Sequence, residues 1–282
     1  MIATYPLATA LTIASSDSSG GAGIQADLKT FASLGVYGLT VISAVTAQNT
    51  LAVTMVENLS PALVTAQLEA LWADIKPKAI KIGLIGSAAN AQSIEKFLRV
   101  NGQGVPVVLD PVLVSASGHV FLSEEDMAAV VKLFPLATLI TPNIPETEAL
   151  TGVALTAVTS KAPDLLKTAA QALLAKGPKN ILIKGGHGLG PTADDYLFNS
   201  EGEPTLFSGP RIETRSTHGT GCTLSSAIAA GLAQDLPLPE AIKRAKDYVA
   251  QAFLSAPPLG HGPGPLNHFH QYYAWRADQP VK

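Results

Sequence analysis

The sequence predicts an α/β protein with a mostly parallel central sheet and helices on both of its faces. Two observations carry this. Short apolar runs alternate with helical repeats almost throughout, the pattern of successive strand–helix–strand units. Hydrophobic residues make up 47% of the 282-residue chain and charged residues only 15%, which suits a large core and strands buried on both faces. That length fits a single α/β domain over residues 1–282.

Residues 7–14 are a short apolar run, hence a strand. A polar, glycine-rich loop follows, Ser15-Ser16-Asp17-Ser18-Ser19-Gly20-Gly21-Ala22-Gly23. Ile24, Leu28, Phe31 and Leu34 then mark an amphipathic helix that Gly35 stops. Residues 39–46 and 51–59 read as two strands around the polar tip Gln48-Asn49-Thr50. Pro61 opens a helix through Trp72, with Ser60 as N-cap. A strand over 79–85 and a helix over 87–99 come next. Residues 105–109 make a buried strand that ends on Asp110-Pro111. Ser123, with Glu124, Glu125 and Asp126 behind it, caps a helix through Phe134. A short strand over 138–141 ends on Pro142-Asn143, and a short helix over 145–150 is ended by Gly152. A helix over 164–176 precedes a strand over 180–184, which runs into Gly185-Gly186-His187-Gly188. Residues 195–198 and 203–207 read as a hairpin. Two helices close the pattern, one after Gly221 and one over 239–254, before a tail rich in Pro, Gly and His.

Ligands of parallel sheets gather at the carboxyl ends of the strands. The polar residues that follow strands are therefore the candidate site: Asp17, Gln48, Asp110, Asn143, Lys184 and the loop before Gly219. Most are expected on one edge. The net charge of −3, without a long basic or acidic block, gives no sign of a nucleic-acid or anionic-membrane partner. One cysteine cannot form an internal disulfide, the N-terminus lacks the basic region of a signal peptide, and no apolar run approaches the ~20 residues of a membrane span. A cytoplasmic protein is expected.

The most chemically loaded stretch is Thr217-His218-Gly219-Thr220-Gly221-Cys222-Thr223. It feeds a helix marked by Leu224, Ile228 and Leu232. The first N–H groups of such a helix lack internal partners and the dipole there is positive, while the glycines admit an anion closely. Cys222 is the only cysteine, and the field at the helix start is expected to lower its thiol pKa. The stretch also reads as a plain tight turn with Cys222 as a small buried hydrophobe. Gly21-Ala22-Gly23-Ile24-Gln25-Ala26 fits a dinucleotide fingerprint, but the next strand ends Ala44-Val45-Thr46-Ala47-Gln48 without the required acid. No P-loop motif is present, so ATP would be held another way. Lys184 is a candidate cation for phosphate, or a surface lysine. Asn143 and Glu146, three apart, are candidates to hold Mg²⁺ through water, or a capping box. Together these parts favour a kinase.

The run Ser18-Ser19-Gly20-Gly21-Ala22-Gly23-Ile24-Gln25-Ala26-Asp27-Leu28-Lys29-Thr30 closely resembles the N-terminal signature of the hydroxymethylpyrimidine/phosphomethylpyrimidine kinases. So do Thr46-Ala47-Gln48-Asn49-Thr50, Lys81-Ile82-Gly83, Asp110-Pro111-Val112, Thr141-Pro142-Asn143 with Glu146, Lys184-Gly185-Gly186-His187 and the Thr217 to Thr223 stretch. The likeness covers about residues 8–272, in order. It implies a ribokinase-like three-layer α/β/α sandwich with a small β extension, ATP and Mg²⁺ as cofactors, and a homodimer, for which the 39–59 strand pair is the candidate interface. It also implies phosphorylation of 4-amino-5-hydroxymethyl-2-methylpyrimidine, and then of its monophosphate, in thiamine biosynthesis.

By the same resemblance Gln48 would hydrogen-bond the pyrimidine, with Ala22 and Val112 lining its pocket and Asp27 a further candidate nearby. Asn143 and Glu146 would position Mg²⁺ through water, Lys184 would contact phosphate, and Thr217 would lie at the nucleotide. Gly219, Thr220, Gly221 and Cys222 would form the anion hole, with Cys222 as the base that takes the hydroxymethyl proton or, alternatively, as a residue that only orients substrate. His187 and His218 lie beside this machinery, and His268-Phe269-His270 is read as packing or closure rather than a metal site. Three departures stand out: Ser15-Ser16-Asp17-Ser18 where the family usually has Gly-Ser/Thr-Asp-Pro, Ala116 where it often has lysine, and Leu84 where it often has Met. A pyridoxal kinase and a non-catalytic nucleotide-binding domain are the alternatives. Gln48 favours the aminopyrimidine, and the intact phosphate parts favour catalysis.

Overall fold

The structure, a computed structural model, describes residues 7–113, 121–155, 163–186 and 191–273. The first half of the chain gives β1 (Thr9–Asp17), α1 (Gly23–Ser33), β2 (Tyr37–Gln48), β3 (Val53–Asn58), α2 (Pro61–Asp74), β4 (Ala79–Ile82), α3 (Ala88–Asn101) and β5 (Val107–Leu109). The second half gives α4 (Glu124–Val131), β6 (Leu139–Ile140), α5 (Ile144–Thr151), α6 (Pro163–Leu174), β7 (Asn180–Ile183), β8 (Asp195–Asn199), β9 (Thr205–Phe207), α7 (Thr220–Ala233) and α8 (Leu238–Leu254). Helix starts follow local chemistry. Ser60 and Ser87 accept from Leu63 and Asn90 N–H groups, and Ser123 closes a capping box with Asp126. The expected helix to Phe134 stops at Val131 and gives way to a 3-10 turn, Phe134–Leu136, because Pro135 cannot continue the ladder.

The strands form one nine-stranded sheet in the order β3-β2-β1-β4-β5-β6-β7-β8-β9. Strands β2, β1, β4, β5, β6 and β7 run parallel. The edges are antiparallel: β3 against β2 on one side, β8 and β9 on the other. β1 pairs with both β2 and β4, so the strand order reverses there.

The period-two alternation of the strands divides the interior into two cores. Leu11, Ile13, Ile80, Ile82, Val107 and Leu109 pack with α2, α3, α4 and α6. Ala10, Ala79, Val108, Leu139 and Leu182 pack with α1, α7 and α8. Alternation thus aims Thr12 and Lys81 at the α1–α7 side. There they are completely buried and bonded to Asp27 of α1. Buried polar groups occur on both faces, Thr12 and Lys81 on this one and Ser43, beside Asn90 of α3, on the other.

Candidate active site

Because the strands run parallel, the residues that follow them fall on one edge, as their order in the sequence suggests. Asp110 follows β5 and donates its N–H to the Ile82 carbonyl at the end of β4 (2.9 Å), and Asn143 and Lys184 form a parallel bridge beyond β6 and β7. Gln48 ends β2 and Asp17 ends β1 beside it.

The glycine turn lies at this edge. Gly219 is the N-cap of α7 and holds a left-handed φ of 80°. A side chain there would meet the Gly21 carbonyl oxygen at 1.9 Å, so two backbone loops pack directly together. Thr223 donates both its N–H and its hydroxyl to the Gly219 carbonyl, each at 2.8 Å. Thr217 is exposed, and its carbonyl accepts the Thr220 hydroxyl at 2.7 Å. Thr220, Gly221 and Cys222 form the first turn of α7, where N–H groups lack helical acceptors.

Charge collects beside this turn. The Lys184 ammonium donates to Asp110 Oδ1 at 2.8 Å and lies 3.9 Å from Glu146 Oε2. Thr141 also donates to Asp110 Oδ1, at 3.0 Å. A side chain at Gly221 would come within 3.1 Å of Asp110 Oδ2 and 3.3 Å of Lys184 Nζ, so the glycine turn and the charged cluster share one space. Burial alone would lower the Lys184 pKa, but Asp110 and Glu146 outweigh it and raise it. Glu146 is pushed up to about 7, by burial first and by Asp110, against the pull of Lys184. Asn143 and Glu146 form a capping box: Asn143 Oδ1 accepts the Glu146 N–H at 2.8 Å, and Glu146 Oε2 accepts the Asn143 N–H at 2.7 Å. Both the capping pattern and the carboxylate at the site are therefore real.

Cys222 corrects an expectation. Its thiol pKa is not lowered but pushed up to about 11. Burial is the main cause; Lys81 and the Gly23 N–H pull it down, while Asp27 and Asp110 push it up. Desolvation outweighs the field of the helix start. Asp27, the further candidate near the pyrimidine, has no free oxygen in the structure. It is fully buried, and both oxygens are taken: by Lys81 at 2.8 and 3.0 Å, by Ser226 at 2.5 Å and by Thr12 at 2.6 Å.

Gln48 is half-buried. Its backbone is pinned by Ser18, whose hydroxyl accepts the Gln48 N–H at 2.8 Å and donates to the Gln48 carbonyl at 2.7 Å. Ala22 caps α1 with its N–H on Asp17 Oδ2 (2.8 Å), and Val112 is half-buried after Pro111. Asp17 accepts from Ser19, Gly21 and Ala22, and lies 2.8 Å from His218 Nε2. Burial alone would raise the Asp17 pKa, but His218, Ser19 and the backbone donors hold it at about 2. An ionised carboxylate only accepts, so His218 Nε2 carries the proton. Gln48 Nε2, 3.4 Å from that nitrogen, finds no acceptor there.

The Asp17–His218 link and the Lys81–Asp27 pair went unread in the sequence. A lysine inside the apolar strand Ala79-Ile80-Lys81-Ile82 was signal enough, since a buried ammonium demands a partner. His187 and Ala116 lie outside the described residues. His268 is buried, with Nε2 3.0 Å from Thr223 Oγ1, and no cluster of three or more His, Cys, Asp and Glu residues suits a metal among the described residues.

A mostly parallel sheet whose C-terminal edge gathers a glycine turn at a helix start, a lysine and two carboxyl groups fits a ribokinase-like kinase. The phosphomethylpyrimidine kinase family model matches residues 17–267, and the chain belongs to that family. It is 46% identical over 269 residues to the hydroxymethylpyrimidine/phosphomethylpyrimidine kinase of Rhizobium meliloti, covering 94% of this chain and 98% of that one. The crystal structure of phosphomethylpyrimidine kinase from Clostridium difficile 630 is similar at 42% identity and a TM-score of 0.75, over 87% of this chain and 99% of that one. The ADP complex of Bacillus subtilis pyridoxal kinase is similar at 34% identity and a TM-score of 0.85, over 94% of this chain and 99% of that one.

Proposed function

We propose that this chain transfers the γ-phosphoryl group of ATP to 4-amino-5-hydroxymethyl-2-methylpyrimidine, and then to its monophosphate, in thiamine biosynthesis. The observation that carries this is the meeting of Gln48, Cys222, the Gly219 turn and Lys184 on one sheet edge. The ADP bound by the Bacillus relative supports the nucleotide. A second reading, pyridoxal phosphorylation, rests on the likeness to that pyridoxal kinase. Gln48 meets a ring edge with amide donors, and Ala22 and Val112 bracket the ring. Phosphoryl transfer then depends on placement and charge. The N–H groups of Gly219, Thr220, Gly221 and Cys222 receive the anionic phosphoryl oxygens, Lys184 follows the charge, and Thr217 borders the nucleotide. Cys222, in its thiolate form, takes the hydroxymethyl proton and becomes the thiol as the alcohol oxygen attacks phosphorus and ADP leaves.

Mg²⁺ fits Glu146, the capping partner of Asn143. Burial and Asp110 hold this carboxyl near 7, an excess of negative charge that a cation held through water relieves. When bound, Mg²⁺ neutralises polyphosphate charge. The chain works as one ribokinase-like unit in the cytoplasm, and no helix among the described residues is long and apolar enough to cross a membrane. It pairs as a homodimer through the outer face of β2 and β3, where Val45, Leu51 and Met55 are exposed. Purified protein with MgATP and, in turn, hydroxymethylpyrimidine, its monophosphate or pyridoxal, followed by ADP release, tests the function. No turnover on the first two substrates rejects it.

A further inference from the structure

The Asp17–His218 pair has no part in the function proposed above, yet its proton bears on Gln48. Ser19, Gly21 and Ala22 all donate to the Asp17 carboxylate, which therefore only accepts, so His218 Nε2, 2.8 Å away, carries a proton in either charge state of the ring. The nitrogen of the Gln48 amide lies 3.4 Å from that Nε2, so donor faces donor. At the other end the amide oxygen lies 3.1 Å from the Thr46 hydroxyl, whose single proton is also wanted by the Ser16 carbonyl at 3.0 Å. Amide oxygen and nitrogen are alike in size and are told apart by their partners. One half-turn of the amide removes both conflicts. Oε1 then accepts from His218 as the longer branch of a three-centre bond, while Thr46 donates to Ser16 and accepts from Gln48 Nε2. The Ser19 hydroxyl, at 3.5 Å from His218 Nε2, competes only weakly.

We propose that the Asp17–His218 pair sets the direction of the Gln48 amide, carbonyl toward His218 and amine toward Thr46, and so determines which ring edge Gln48 accepts. Thr46 cannot set it, because a hydroxyl accepts as readily as it donates. The inference rests on the reading of Gln48 as the residue that meets the pyrimidine. One acceptor position on Oε1 and one hydrogen on Nε2 then face the ring in a fixed order. That order matches an exocyclic amine beside a ring nitrogen. A 4-oxopyrimidine carries a carbonyl beside a ring N–H, the reverse order, and is turned away because like groups meet. The alternative is a pair that only ties the glycine loop to the α7 turn, with the imidazole packed on Gly21.

Neutron diffraction from crystals of the deuterium-exchanged protein reads the amide with no substrate and no turnover. Deuterons on the end that faces Thr46 are expected. Deuterons on the end that faces His218 overturn the proposal, whether or not the chain is a kinase. Calorimetry with hydroxymethylpyrimidine and with its 4-oxo analogue, each without ATP, reads the consequence. The wild type should bind the amino compound about tenfold tighter or more, the cost of leaving polar groups unpaired. His218→Phe keeps a ring against Gly21 but offers no proton, so the amide is free to turn and the preference should shrink to about threefold or less. His218→Gln sets a donor near the Nε2 position, held there by Asp17, and the preference should return. A pair that only packs weakens both ligands alike, so a wild-type preference in His218→Phe overturns the proposal. Binding of neither compound by the wild type rejects the substrate reading and the ring-edge role with it, while the neutron map still decides the direction of the amide.

Discussion

Ser18 departs from the Gly-Ser/Thr-Asp-Pro pattern that the resemblance implies, and its hydroxyl has a visible use. A proline at this position has no hydroxyl, whereas Ser18 both donates to and accepts from the Gln48 backbone. Ser18→Ala is therefore expected to raise KM for the pyrimidine about five- to thirtyfold, the worth of one or two hydrogen bonds of ~1 kcal/mol, with KM for ATP unchanged. Equal losses for both substrates in steady-state assays would count against this role. Cys222 gives a sharper contrast. An alcohol must lose a proton to attack phosphorus, but a phosphate monoester is already an anion. Cys222→Ala should lower kcat on the hydroxymethyl substrate by roughly 10²-fold or more, and on the monophosphate far less. Near-wild-type kcat on the alcohol ends the base role. At this scale Gln48, Lys184, Asn143 and Glu146 were legible because each polar residue follows an apolar run. The thiol pKa was not, because a helix start is visible in sequence while the desolvation opposing it comes from remote chain.

Between residue and fold, the element that ties the site together is the C-terminal segment. Gly264 exchanges backbone bonds with Arg215 and His218, His268 reaches Thr223, and the Gly262 N–H donates to Thr50 Oγ1 at 3.2 Å. The segment thus straps the Gln48-Asn49-Thr50 tip to the Gly219 turn. A side chain on Gly262 would sit 1.9 Å from the Thr50 carbonyl oxygen, so the strap runs flush against the tip. Gly262→Val should push them apart and lower kcat/KM for the pyrimidine by about tenfold or more, since even ~1 Å of misplacement is costly, while Tm changes little. An unchanged kcat/KM would show that the strap only packs. Sequence reading placed this tail as packing or closure but not its target, because Pro and Gly carry no periodicity. The regular elements were readable, since helices have caps and strands have apolar runs. Their ends shifted where tertiary contacts decide, as at β4, which stops at Ile82.

The whole fold was legible for a physical reason: in a parallel sheet covered on both faces, each strand must be apolar and each crossover must contain a helix, so order and class are written along the chain. What periodicity does not reveal is buried charge, and that charge shapes the response of the molecule to acid. His268 is held down to about 3, by burial first and then by Lys29 and His270. The fold therefore binds fewer protons here than the unfolded chain, and stability is lost as pH falls through 6.5 toward 3. The half-exposed His270 is shifted in the same direction. Glu146 works the other way. Raised to about 7, it makes the fold bind more protons than the unfolded chain, so stability is gained as pH falls from 7 toward 4.5. The two slopes, each of order 1.4 kcal/mol per pH unit at most, oppose one another across the same window. Wild-type Tm should be nearly flat between pH 6.5 and 5. Glu146→Gln removes the opposing term and should make Tm fall with acid, whereas His268→Gln should make it rise, whatever each variant costs at neutral pH. Below about pH 4 Asp17, held near 2, adds a loss common to all three proteins. Parallel Tm curves for the wild type and both variants between pH 7 and 4.5 would show that neither buried group governs acid stability.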